Sequence, residues 1–235
     1  MNNLKKINKS VIVADILIAI AVACGCALYM RDRSVVEKGL TSFGFVLLGL
    51  VNLIHEIVKK NKNTKFKIFV FIALSLSLIA DVVIDFNFIY GAIIFASAHI
   101  FYYVAQLFIK KIKGMDFIPS AILLAIALCY LFLFPGMNIS EPDKLVICVA
   151  YSLIISVMAG KAIAHAISLK RLFTIVFAIG SIMFYISDMM LVMDIFSDVW
   201  DFAINLCHLM YYPGQCLLAM TILLSGIECK KDKSE

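Results

Sequence analysis

The chain has 235 residues, 63% of them hydrophobic and 16% charged, with a mean hydropathy of +0.99. That composition excludes a water-soluble enzyme, because apolar runs of spanning length fill the chain and leave no stretch for a separate soluble domain. The net charge of +5 calls for no nucleic-acid partner, since it gathers in the connections between apolar runs, where it suits anionic lipid headgroups.

In chain order, Lys5, Lys6 and Lys9 precede the first apolar run. We read that run as a spanning helix over 12–30 and not as a signal peptide. It is long for such a segment, and seven further spans need an orienting first helix. The remaining helices are expected at 36–58, 66–85, 89–109, 117–134, 143–164, 172–194 and 201–226. The fold class is therefore an all-α polytopic membrane bundle of about eight helices, one integral membrane domain over 1–235. With a cytoplasmic N-terminus, all but four of the 21 lysines and arginines fall on the cytoplasmic side. Only Arg31, Arg33, Lys38 and Lys144 lie opposite, so the positive-inside rule places both termini in the cytoplasm, and a bacterial plasma membrane is the expected setting. Oligomeric state leaves no mark on the sequence.

Several polar residues have bland readings. His55 and Glu56, beside the lysines of the 59–67 loop, are expected at the interface and satisfied by water. His165 is expected to be solvated, Asp85 to be hydrated at the interface, and Asp194, Asp198 and Asp201 to form a solvated turn. Trp200 reads as an interfacial anchor. Six of the seven cysteines sit within apolar spans and no C-x-x-C occurs, which indicates neither a disulfide framework nor a zinc ribbon.

One pattern is not bland. His-x-x-Tyr-Tyr-x-x-Gln occurs at His99, Tyr102, Tyr103 and Gln106, and again at His208, Tyr211, Tyr212 and Gln215. Such spacing puts the polar groups along one helical stripe. A lone aspartate precedes each copy inside an apolar run, Asp81 by 18 residues and Asp188 by 20. A central aspartate costs about 2.5–3.5 kcal/mol on insertion scales, so keeping it twice suggests use. The offset between the copies spans four helices, an even number. We therefore expect two parallel four-helix repeats in which helices three and four correspond to seven and eight. Asp81, Asp188, His99 and His208 would then meet in a cavity toward the outer leaflet.

A carboxylic acid held away from water can stay protonated and donate a proton while a second carboxylate accepts one. Histidine and tyrosine beside the pair would orient water or a reacting oxygen. The structural alternative is polar glue, with Asp81 bonded to His99 or Tyr103 and Asp188 to Tyr212. The chemical alternative is zinc on the two aspartates and two histidines, although the sequence lacks the compact H-x-x-x-H spacing. We expect no cofactor, with zinc as the rival. A lipid or small-molecule transporter or binding protein is the alternative from another class, suggested by parallel repeats around a polar centre. Few prolines break the helices, which speaks against it.

At these residues the chain resembles the YhhN, or lysoplasmalogenase, family. The matching stretches are Leu78-Ile79-Ala80-Asp81, Tyr90-Gly91, Phe95 and Ala98-His99-x-x-Tyr102. They continue with Gly180-Ser181, Phe184-x-Ile186-Ser187-Asp188, Phe196 and Tyr211-Tyr212-x-x-Gln215. Lys38-Gly39-Leu40-Thr41 stands where the family starts its second helix with a Lys-Pro-Leu-Thr-like motif, and Tyr151 and Met158 fit the pattern of the sixth. Ala80 replaces a family glycine and Gly39 a proline; neither change removes a reactive group. The resemblance implies hydrolysis of the vinyl ether bond of lysoplasmalogens, a lysophospholipid substrate taken from the bilayer. It would make Asp81 and Asp188 the general acid and base, in an order left open. His99, Tyr102, Tyr103, His208, Tyr211, Tyr212 and Gln215 would bind or orient substrate and water, and Lys38 would hold the lipid phosphate.

Overall fold

The computed structural model describes residues 9–197 and 202–231, the last four by backbone alone. The readings of Lys5, Lys6, Asp198, Trp200, Asp201 and Lys233, and of the side chains of Cys229, Lys230 and Lys231, lie outside the described residues. The described residues form eight α-helices: α1 (Lys9–Asp32), α2 (Val35–Val58), α3 (Thr64–Ile84), α4 (Phe88–Leu107), α5 (Phe117–Leu133), α6 (Pro142–Leu169), α7 (Leu172–Phe196) and α8 (Ala203–Lys231). All eight are long and apolar enough to cross a membrane, as the hydropathy requires. A 3₁₀ turn at Gly114–Asp116 leads into α5. Local chemistry sets several ends: Asn87 caps α4 by accepting from the Tyr90 N–H, and Pro142 opens α6. Arg33, at φ 56°, turns the chain between α1 and α2. Two helices run five residues past their expected ends: α8 continues from 226 to Lys231, and α6 from 164 to Leu169, where Lys161 and His165 turn inward and do not end it.

Helices α2, α3, α4, α6, α7 and α8 form a closed ring in which each packs on the next and α8 returns to α2. α1 lies outside α2 and α8, and α5 lies outside α6. The pairings repeat as two four-helix halves would require. α2–α3, α3–α4 and α8–α2 have counterparts in α6–α7, α7–α8 and α4–α6. Two counterparts are missing: α1 and α3 both pack on α8, whereas neither α5 nor α7 makes more than marginal contact with α4.

Lipid tails are as apolar as leucine, so close fit, more than water exclusion, holds spanning helices together. One close crossing joins α7 to α8 at two glycines that face each other. A Cβ on Gly180 would stand 2.9 Å from the Gly214 carbonyl oxygen, and one on Gly214 would stand 3.2 Å from the Gly180 carbonyl oxygen. Backbone atoms there cannot retreat as a side chain can. Gly180→Ala is expected to destabilise the protein by about 1–3 kcal/mol as overpacking, and thermal unfolding in mild detergent would measure it. An unchanged midpoint would mean that the helices slide apart freely.

At the lysine-rich end the structure corrects the readings of Glu56 and His165 and shows a further buried lysine. Glu56 is not a hydrated interfacial group: it is buried, accepting from Lys67 Nζ at 2.7 Å and from Asn61 at 2.8 Å. Lys161 is likewise buried and donates to Asp116 at 2.7 Å. His165 is buried beside that pair, with its Nε2 unpartnered. Lysines can reach inward on a long apolar stem, and buried charge is tolerated when paired. At the opposite end Asp85 accepts from Lys38 Nζ at 2.6 Å, which hydration alone did not anticipate.

Candidate active site

Asp81 occupies the last turn of α3, and Asp188 lies about two turns before the end of α7. Both line one cavity of about 500 Å³ at the end of the bundle away from the lysine-rich connections. Each carboxylate is buried, and each gathers hydroxyl donors on one oxygen. Asp81 Oδ2 accepts from Ser42 of α2 at 2.5 Å and from Tyr211 of α8 at 2.7 Å. Asp188 Oδ2 accepts from Tyr151 of α6 at 2.5 Å and faces His99 Nε2 of α4 at 3.3 Å. The same His99 nitrogen stands 2.7 Å from the Tyr151 hydroxyl, so the three groups form a compact triangle. The partners cross between halves: Tyr211 of the second half serves Asp81 of the first, and His99 of the first serves Asp188 of the second. Neither polar-glue pairing foreseen from the sequence occurs as written.

The two tyrosine stripes divide their labour. Tyr211 lines the cavity, as does His208, whose Nδ1 turns to the Ile204 carbonyl while its ring packs 4.8 Å from Tyr29. Tyr102, fully buried, donates to Gln215 Oε1 at 2.8 Å and so ties α4 to α8 below the cavity. Tyr212 packs 5.2 Å from the Tyr211 ring and is no part of the wall. Tyr103 is half-buried against the core, also outside the cavity, and Gln106 donates to the Met158 carbonyl at 3.1 Å. Geometry explains the split. Seven residues of helix rise about 10 Å, so a stripe from histidine to glutamine is longer than the carboxylate zone is deep.

Two partners escaped the reading from residues alone. Ser42 follows Lys38 by one helical turn, a spacing that places both on the same face of α2 and was a usable signal. Tyr151 had been noted only for its fit to the family pattern; nothing near it in α6 marks it. At the mouth, Lys38 lines the cavity with its ammonium on Asp85, and Arg33 lines it with its guanidinium donating to Asn205 at 2.5 Å. Among the described residues, no three His, Cys, Asp or Glu side chains come together in a group suited to a metal ion.

No curated protein and no solved structure matches the chain. The sequence model of the YhhN family matches residues 37–222, a span that takes in both carboxylates with every partner named for them and leaves α1 outside. By that match over most of its length, the chain belongs to the YhhN family.

Proposed function

We propose that this membrane protein is an ether hydrolase that cleaves the vinyl ether bond of a lysoplasmalogen by metal-free acid–base chemistry on Asp81 and Asp188. The observation that carries the reading is the pair of buried carboxylates, on different helices, lining one cavity and each holding a tyrosine hydroxyl. Family membership is consistent with it. One carboxylic acid gives its proton to the β-carbon of the vinyl ether, whose π electrons form the new C–H bond and leave an oxocarbenium ion. The other carboxylate takes a proton from water as the water oxygen bonds to the cationic carbon, giving a hemiacetal. The bond from that carbon to the glyceryl oxygen then breaks, the oxygen gains a proton, and the hemiacetal hydroxyl loses one. One water is consumed, and a fatty aldehyde and a glycerophospho-headgroup are released.

Tyr151, Tyr211 and His99 hold the carboxylates, and His208 faces the space left for water and headgroup. Tyr102 and Gln215 position Tyr211's helix from below, with Tyr103 and Tyr212 as supporting packing. Lys38 is the anchor for the lipid phosphate, provided that it leaves Asp85. Asp85→Asn removes that competitor and is expected to lower KM by roughly five-fold, the ~1 kcal/mol scale of a partly exposed ion pair. A raised KM would show that Asp85 holds Lys38 in place. In the proposed orientation both termini face the cytoplasm and the cavity opens away from it; a reporter fused to the C-terminus and found outside the cytoplasm would reverse this.

The deciding assay is aldehyde release from alkenyl-lysophospholipid by purified protein, with and without EDTA. Release that survives chelation is expected. Release lost with EDTA would move the chemistry to a metal. No release from folded protein with either choline or ethanolamine headgroups would sink the reading, and substrate movement across proteoliposomes without cleavage would put a transporter in its place.

A further inference from the structure

A second opening reaches Asp188 from the side. It is a narrow cleft, about 50 Å³ in water-sized space, lined by Phe88 and Ala92 of α4, Leu131 of α5, Ile147 and Ile155 of α6, and Val192 of α7. It lies where the repeat fails. In the first half α1 packs on α8, with the Tyr29 ring tilted against His208, whereas in the second half α5 leaves α4 uncovered. The cleft and the polar cavity share Ile84, Phe95, Asp188 and Leu191 in their walls, so they adjoin at the carboxylate.

The cleft's polar groups are already used. Tyr130 donates to the Met189 carbonyl, Tyr185 to the Leu123 carbonyl, Ser152 to the Cys148 carbonyl and Tyr151 to Asp188. An occupant therefore meets apolar surface with no free hydroxyl donor, and the space is too narrow for a headgroup. We propose that the gap between α4 and α5 is the seat of a lysophospholipid's single hydrocarbon chain. The chain enters sideways from the bilayer, its first carbons lie against Asp188, its headgroup fills the polar cavity, and its far end stays among the lipid tails. This rests on the hydrolase reading for the reaction at that bond but not for the binding itself.

The test uses a non-hydrolysable probe, a 1-O-alkyl lysophosphocholine with a photoactivatable diazirine in mid-chain, on the full-length protein in nanodiscs. Labelled peptides are read by mass spectrometry. Labelling is expected to concentrate on α4, α5 and α6 around Phe88, Leu131 and Ile147, and excess unlabelled lysolipid should reduce it at least ten-fold. Excess diacyl phospholipid should not. Ala92→Phe and, separately, Ile147→Trp should each cut the labelling at least five-fold while the unfolding midpoint holds, and Asp188→Asn should leave it in place. Labelling spread evenly over the lipid-facing helices, or displaced equally by diacyl lipid, would overturn the proposal and mark the cleft as an ordinary lipid-facing groove. Retained labelling in both filling variants would also overturn it. Focused labelling by a protein that releases no aldehyde would keep the chain site and remove the hydrolase.

Discussion

Asp188→Asn is expected to lower aldehyde release by roughly 10²–10⁴-fold, the usual range for losing one acid–base partner, or about 3–5 kcal/mol of barrier. Asp81→Asn is expected to fall in the same range. The carboxamide oxygen can still accept from Tyr151 at Asp188, or from Ser42 and Tyr211 at Asp81. The helices therefore keep their cross-links, and the unfolding midpoint should move by no more than about 4 °C, near 1 kcal/mol for a chain of this size. That contrast separates the two roles an aspartate can have here. Polar glue predicts lost stability with activity falling only as protein unfolds; chemistry predicts lost turnover in a folded protein. Full activity in both variants would dismiss the assignment.

The largest stability effect should come from the other end of the bundle. Glu56→Gln leaves the Lys67 ammonium uncompensated at 1% exposure, and breaking a buried pair from one side typically costs about 3–5 kcal/mol. The double variant Glu56→Gln/Lys67→Met should regain much of this, because no charge is then stranded. Unfolding in mild detergent for the two single variants and the double variant closes the cycle. Losses that simply add would show that the two groups do not depend on each other. Gly226 limits what else fits there. A Cβ at that position would overlap the Glu56 carboxylate, which Lys67 and Asn61 hold still. Gly226→Ala should therefore destabilise the same site.

The helices were legible because spanning length and hydropathy leave few other solutions for such a chain, and the sixth ran long only where two inward-facing polar groups hid its continuation. Of the repeated stripe, His208 and Tyr211 line the cavity with Asp81 and Asp188, and the helices that carry it pair largely as two halves. It did not say which tyrosines meet the carboxylates, because a stripe records direction on one helix and not depth against its neighbours. Tyr211 sits at the depth of Asp81, and Tyr212, one residue on, faces a different neighbour. Ser42 shares a face of α2 with Lys38, a signal the reading did not use, and Tyr151 becomes a partner of Asp188 only through three-dimensional packing. Glu56 was misplaced for a related reason. Among the clustered lysines, nothing local says that Lys67 is the one that turns inward.

The two buried ion pairs also bear on the order in which the chain can enter a membrane. Glu56 and Lys67 are 11 residues apart across one tight hairpin, so α2 and α3 can enter together as a unit already neutral at that point. Asp116 must wait for Lys161, 45 residues later. During synthesis α5 therefore carries an unmatched carboxylate at its leading end until α6 is made, and that end is held at the water surface meanwhile. A nascent chain halted between the two should leave α5 loosely seated and open to extraction, whereas one halted after α3 should already hold its first hairpin firmly.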